Sequence, residues 1–172
     1  MLIALQTLRF NVEPVLEGDG MPHCATTRHL RKGRYSAVGQ IYMVTSVTKG
    51  RVPVFAEMQL GRLLVREMKR CEEQGLVKSM AWVVMPDHLH WLFELKAGDL
   101  PSLMKQLKAR SSIAVGKLCV RPHALWQSGY HDRAIRDEED IAPIARYIVA
   151  NPLRAGLVKK LGDYPLWDAI WV

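Results

Sequence analysis

What this chain of 172 residues lacks narrows it first. It has no run of about eighteen consecutive apolar residues, so no segment reads as a membrane-spanning helix. Its three cysteines, Cys24, Cys71 and Cys119, are odd in number and far apart. They make neither a disulfide framework nor a zinc pattern, and they suit a reducing cytoplasm. The opening "MLIALQTLRF" has no basic start and no small-residue cleavage site, so a secretory signal is not expected. Repeats, low-complexity tracts and an interdomain linker are missing as well. Acid is the scarcer charge, 17 Asp and Glu against 24 Lys and Arg, for a formal charge of +7. That balance favours a polyanionic partner without separating nucleic acid from an acidic membrane surface. The length and a hydrophobic content of 49% suit one domain with an ordinary core.

Residues 1–20 differ in character from the rest, setting Arg9 against Glu13, Glu17 and Asp19. Met21 then opens "MPHCATTRHLRKGRYS", where Arg28, Arg31, Lys32 and Arg34 crowd together. The expectation is a flexible extension over 1–20, a natural start at Met21 and a single catalytic domain over 21–172.

Two periods alternate along that domain. "AVGQIYMVTSVT" (37–48) is β-branched and alternating and reads as a strand ended by Lys49-Gly50. From Phe55 to Gln74, Leu60, Leu63, Leu64, Met68 and Cys71 fall at helical spacing, with Gly75 placed to stop the helix. "LVKSMAWVVM" (76–85) is a second strand, and Pro86-Asp87 turns it antiparallel into "HLHWLFEL". Asp99 can cap a helix with Pro101 in its first turn and Leu100, Leu103, Leu107, Ala114 and Leu118 as its buried stripe. A fourth strand falls within "LWQSGYHDRAIR" (125–136). "DEEDIAPIARYIVANPLRAGLV" then begins a helix with acids at the positive end of its dipole. The order β-α-β-β-α-β is the ferredoxin-like, α+β arrangement, with a four-stranded antiparallel sheet and both helices on one face.

The oddity is "MPDHLHWLFEL", two histidines one residue apart in an apolar run. Strand side chains alternate, so His88, His90 and Leu92 share one face, while Leu89, Trp91, Phe93 and Leu95 share the other. The second set meets the helices, and the imidazoles face the open side of the sheet. Such a pair can present two nitrogens to one metal ion; solvated histidines on a sheet face are the plain alternative. In the last helix Ile141, Ile144, Ala145 and Ile148 form the buried stripe, and Tyr147 stands roughly 110° from its centre at about 100° per residue. Asn151 lies one turn beyond Tyr147 on the same side, and Pro152 places it at a terminus. A phenol and an amide oxygen could thus approach an ion held by the histidines. A boundary tyrosine and an asparagine C-cap would give the same spacing.

"VVMPDHLHWLFEL", "LWQSGYHDRAIRDEED" and "ARYIVANPLRAGLV" together resemble the REP-associated tyrosine transposases, a branch of the single-tyrosine HUH (IS200-like) family. The resemblance runs from about Gly33 to Val158, with three motifs in the family's order. It implies His88 and His90 as metal ligands, Asn151 as the third, and Tyr147 as nucleophile. It also implies Mg²⁺ or Mn²⁺; nitrogen ligands tilt the choice toward Mn²⁺ in vitro. The expected activity is metal-dependent cleavage and transfer of single-stranded DNA at REP-type palindromic hairpins, through a 5′-phosphotyrosine. The expected partner is hairpin DNA, the compartment the cytoplasm, and the assembly a monomer acting in cis, with a homodimer as the alternative. The rival functions are a metal phosphodiesterase that uses water and a non-catalytic nucleic-acid-binding module on the same fold.

Other residues carry weaker expectations. Lys105, Lys108, Arg110 and Lys117 form basic rows on the second helix, either phosphate contacts or a solvated face. Arg28, Arg31, Lys32 and Arg34 would act as a basic arm on the DNA, and Arg133 and Arg136 would serve the same strand. Tyr130 and His131 read as strand residues beside the site, and Trp91 and Trp126 as core. The tail "GDYPLWDAIWV" departs from a serine pair that many relatives carry after Tyr-Pro. It either packs Trp167 and Trp171 on the sheet edge or lies over the site.

Overall fold

The computed structural model describes residues 36–119, 124–136 and 141–170. Residues 1–20, Met21, the Arg28–Arg34 cluster and Trp171 lie outside them. Strand β1 (Ile41–Val47) is followed by helix α1 (Met58–Glu73), strands β2 (Val77–Met85) and β3 (His88–Leu95), and helix α2 (Leu100–Leu118). Strand β4 (His131–Ala134), helix α3 (Ile141–Val149), the short helix α4 (Asn151–Arg154) and strand β5 (Trp167–Ala169) complete the order. Among the described residues no helix is long and apolar enough to cross a membrane.

The sheet runs β4-β1-β3-β2-β5, with every pairing antiparallel. The first four strands follow the expected ferredoxin-like order; the fifth corrects the expected count of four. It comes from the tail, where Trp167–Ala169 pairs with Val83–Ala81 at the β2 edge. The segment leading to it is fastened by Val84 N–H donating to the Leu166 carbonyl (2.9 Å) and by Tyr164 Oη donating to the Val84 carbonyl (2.7 Å). Leu166 is buried against Gly61 of α1, where an added Cβ would sit 2.4 Å from its Cδ1.

Each helix boundary has a local cause. Asp99 Oδ1 accepts from Ser102 N–H at 2.8 Å and so caps α2, with Pro101 in the first turn. Gly75, at φ +68, takes the left-handed turn that ends the α1 segment. The stripe of α2 keeps Leu100, Leu103 and Leu107 but continues through Met104, Ser111 and Val115. Ala114 is only half-buried and Leu118 is exposed, because the 3.6-residue turn has rotated them away by the last turns.

Alternation divides the apolar residues into two cores. Leu89, Trp91, Phe93 and Leu95 pack with Leu64, Met68, Leu103 and Leu107 under α1 and α2. On the other face, Met80, Ala81, Val83, Met85 and Leu92 pack under Ala145, Ile148 and Val149 of α3. A bulge between Ser79 and Ala81 lets both Met80 and Ala81 serve that second core. The face expected to be open is therefore partly roofed by α3. Burying Ile148 alone stabilises this docking by roughly 1.5–3 kcal/mol.

Cys71 sits fully inside the first core. Burial pushes its thiol up to about 11, against a smaller opposing pull from Arg110. Since the thiolate is the reactive form, iodoacetamide at pH 8 is expected to modify Cys71 on the order of 100-fold more slowly than half-buried Cys119. Peptide mapping with time would show it, and equal rates would contradict the buried placement.

Candidate active site

The turn at Pro86–Asp87 feeds β3 so that His88 and His90 project on the α3 side of the sheet, in line with Leu92. Their rings meet edge to face, with centroids 4.7 Å apart. Each ring has its Nδ1 engaged. His88 Nδ1 lies 2.5 Å from Asp87 Oδ1, and His90 Nδ1 lies 2.8 Å from Thr45 Oγ1. Thr45 reaches His90 because the register sets the two directly opposite on β1 and β3. Both imidazoles thereby offer Nε2 as the remaining nitrogen.

Electrostatics keep the His90 nitrogen available. Burial, with a smaller contribution from His88, pushes the His90 imidazole down to about 3, so it is neutral at pH 7 and carries a lone pair. Burial alone would raise the Asp87 carboxyl. Its hydrogen bonds and charge interactions with His88 and Arg51 outweigh that and hold it below the usual carboxylate range.

Helix α3 lies over β2 and touches β3 and β5, so the helix that carries Tyr147 packs on the same sheet face as the histidines. Tyr147 stands outside the Ala145–Ile148–Val149 stripe and is 48% exposed, so solvent can reach it. Its hydroxyl makes no hydrogen bond among the described residues. Its ring is covered by the Arg154 guanidinium, 4.3 Å from the centroid, a contact worth about 0.5–1 kcal/mol at an exposed site. Asn151 opens α4 beside Pro152, which is buried. Its Nδ2 donates to the carbonyls of Tyr147 (3.1 Å) and Ile148 (2.8 Å). The capping role is thus real, yet it uses only the nitrogen and leaves Oδ1 as a donor atom for an ion.

No three His, Cys, Asp or Glu side chains among the described residues gather into a metal cluster. Two imidazoles with Nε2 left over and one uncommitted amide oxygen are nonetheless donor types that fit Mg²⁺ or Mn²⁺.

The basic residues divide by layer. Arg133 is exposed on β4 and pairs with Met43, on the histidine face; His131, opposite Thr45, shares that face. Arg136 is exposed just beyond β4. Lys105, Lys108, Arg110 and Lys117 sit on α2, across the sheet from the histidines. Lys108 donates to the Gln127 and Gly129 carbonyls, and Arg110 Nη1 donates to Gln74 Oε1 at 3.3 Å. Tyr130 is buried in the first core. Trp126 and Trp91 are core residues too, their indoles donating to Ser111 Oγ (2.9 Å) and Ser79 Oγ (3.1 Å).

Sequence reasoning missed Thr45, Asp87 as a histidine partner, Arg51 and Arg154. Asp87 had a usable signal, an acid directly before the first histidine, but it reads equally as a turn residue. Thr45 had none before the register was known.

An α+β sheet with paired histidines on one face, and a tyrosine helix laid across that face, is the frame of a tyrosine transposase. The family model described as "Transposase IS200 like" matches residues 36–151, and the chain belongs to that family. A REP-associated tyrosine transposase of Escherichia coli (strain K12) is 33% identical over 87 residues, covering 49% of this chain. The chain spans half the length of that relative, 50%. A candidate REP-associated tyrosine transposase of Haemophilus influenzae is 25% identical over 138 residues, covering 74% of this chain and 78% of the relative. Among solved structures, a REP-associated tyrosine transposase bound to a REP hairpin aligns with a TM-score of 0.66 at 26% identity, covering 78% of this chain and 79% of that one. Both of these relatives and the solved structure are thus described as REP-associated tyrosine transposases.

Proposed function

We propose that the protein is a metal-dependent endonuclease and strand transferase for single-stranded DNA, acting on REP-type palindromic hairpins through a covalent tyrosine intermediate. One observation carries the reading: both imidazoles have Nδ1 engaged and Nε2 left over, on the sheet face against which α3, the helix of Tyr147, packs. His88, His90 and Asn151 would hold a divalent ion. When bound, such an ion supplies charge neutralisation and orientation at the scissile phosphate.

The chain's own groups do the rest. A phenol ionises near pH 10, so its attack needs an activated phosphate rather than a stronger base. Tyr147 Oη attacks phosphorus in line and gives up its proton to water, the bond from phosphorus to the 3′-oxygen breaks, and that oxygen takes up a proton from water and leaves as a free hydroxyl. The DNA 5′-phosphate remains on the tyrosine. The new ester conserves the energy of the old one, so a 3′-hydroxyl can attack it in reverse and join strands without ATP. Arg133, His131 and Arg136, on or beside β4, offer a basic flank for the strand. The packing of α3 on the sheet of its own chain supports a monomer with the tyrosine acting in cis.

The test is incubation with a labelled hairpin oligonucleotide and Mn²⁺, followed by denaturing electrophoresis and peptide mapping. The expected result is a protein–DNA adduct mapped to Tyr147. Cleaved strands without any adduct would instead support hydrolysis by water. Function undiminished when His88 and His90 are both alanine would support the non-catalytic module.

A further inference from the structure

The loop between β1 and α1 is strapped to the turn that carries Asp87. Thr48 N–H donates to the Asp87 carbonyl at 2.9 Å, and Phe55 N–H donates to the Pro86 carbonyl at 2.9 Å. Thr48 Oγ1 lies within reach of both the Asp87 carbonyl (3.0 Å) and the Val52 carbonyl (2.8 Å). Inside this loop Arg51 has φ +54, the one residue other than glycine with positive φ among the described residues. A side chain there costs backbone energy that glycine would avoid.

The Arg51 side chain gives the fold little in return. It is 61% exposed, and an ion pair screened on one side by water contributes little stability. Its Nη1 donates to Asp87 Oδ2 at 2.9 Å, while Asp87 Oδ1 lies 2.5 Å from His88 Nδ1. The carboxylate is therefore gripped at both oxygens, by the guanidinium on one side and the imidazole on the other.

We propose that Arg51 is a positioning residue for the candidate metal centre, acting through Asp87 to keep the proton of His88 on Nδ1 and its Nε2 free for the ion. The inference rests on the reading of His88 as a ligand. Without the guanidinium, Asp87 can rotate toward water. His88 then loses the partner that selects its tautomer.

Arg51→Gly separates this role from a structural one, because it removes the guanidinium while relieving the left-handed backbone. The full chain would be compared as wild type, Arg51→Gly, Arg51→Lys and His88→Ala in three measurements. Calorimetric titration with Mn²⁺ is expected to show affinity about tenfold weaker in Arg51→Gly, with part restored in Arg51→Lys. Nitrogen-15 spectra of the metal-free protein are expected to show His88 as the Nδ1–H tautomer in the wild type and as a mixture in Arg51→Gly. The melting temperature of Arg51→Gly is expected to stay level or rise. Wild-type Mn²⁺ affinity together with an unchanged His88 tautomer in Arg51→Gly would overturn the proposal, as would loss of affinity accompanied by a lower melting temperature and an unchanged tautomer. If the wild type and His88→Ala bind Mn²⁺ equally poorly, the ligand reading fails, and the tautomer spectra still decide whether Arg51 positions His88.

Discussion

Tyr147→Phe is expected to abolish the protein–DNA adduct and to cut strand cleavage by on the order of 10³-fold or more, while hairpin affinity stays near that of the wild type. The substitution removes a single oxygen. That oxygen makes no hydrogen bond among the described residues and sits on a half-exposed side chain, so stability should change by less than about 0.5 kcal/mol. The phenyl ring still lies under Arg154. What is lost is the atom that bonds to phosphorus, and removal of a nucleophile is among the costliest changes an active site can suffer. Labelled oligonucleotide on a denaturing gel reads the chemistry, and a native binding assay reads affinity. Cleavage by the phenylalanine variant at a rate close to wild type would remove Tyr147 from the mechanism.

The second large effect contrasts neighbours on one strand. Leu89→Ala and His90→Ala differ by one position in β3, yet they should fail in different ways. Leu89 is fully buried in the core under α1 and α2, so its truncation leaves a cavity and costs about 2–5 kcal/mol. His90 faces α3, and its side chain makes one hydrogen bond, to Thr45. Its truncation should cost about 1 kcal/mol of stability and weaken Mn²⁺ binding by roughly 100-fold or more. Denaturant unfolding and Mn²⁺ titration on the same preparations separate the two. Undiminished Mn²⁺ binding by His90→Ala would rule the imidazole out as a ligand.

That contrast also shows why so much of the site was legible in the sequence. Alternation in a strand is a local property, so "HLHWLFEL" declares both its faces without reference to the rest of the chain. Helical phase is nearly as local, and it puts Tyr147 and Asn151 on one side of a single helix, which the structure instead breaks after Val149, giving Asn151 to α4. Phase errors accumulate with length, however, which is why Ala114 and Leu118 were expected inside α2 although Val115 holds the buried position. The partners of the histidines were hidden for a different reason. Thr45 meets His90 only through the β1–β3 register, and Arg51 meets Asp87 only through a left-handed loop. Neither relation leaves a periodic trace. Strand β5 escaped because its three residues are too few to show a pattern, and what makes it a strand is the β2 edge it completes.

That fifth strand also carries a consequence for the order of events on the ribosome. Helix α3, which carries the proposed nucleophile, precedes β5 in the chain, yet it rests partly against it. Synthesis proceeds from the N-terminus, so Tyr147 emerges before the strand that finishes its platform. Until residues 164–169 follow and fasten along β2, the nascent protein carries the Tyr147 helix on an unfinished bed. On the proposed mechanism, competence to cut DNA would arrive late in synthesis, and a chain interrupted before Leu166 would hold all four residues of the proposed site without the strand that steadies them.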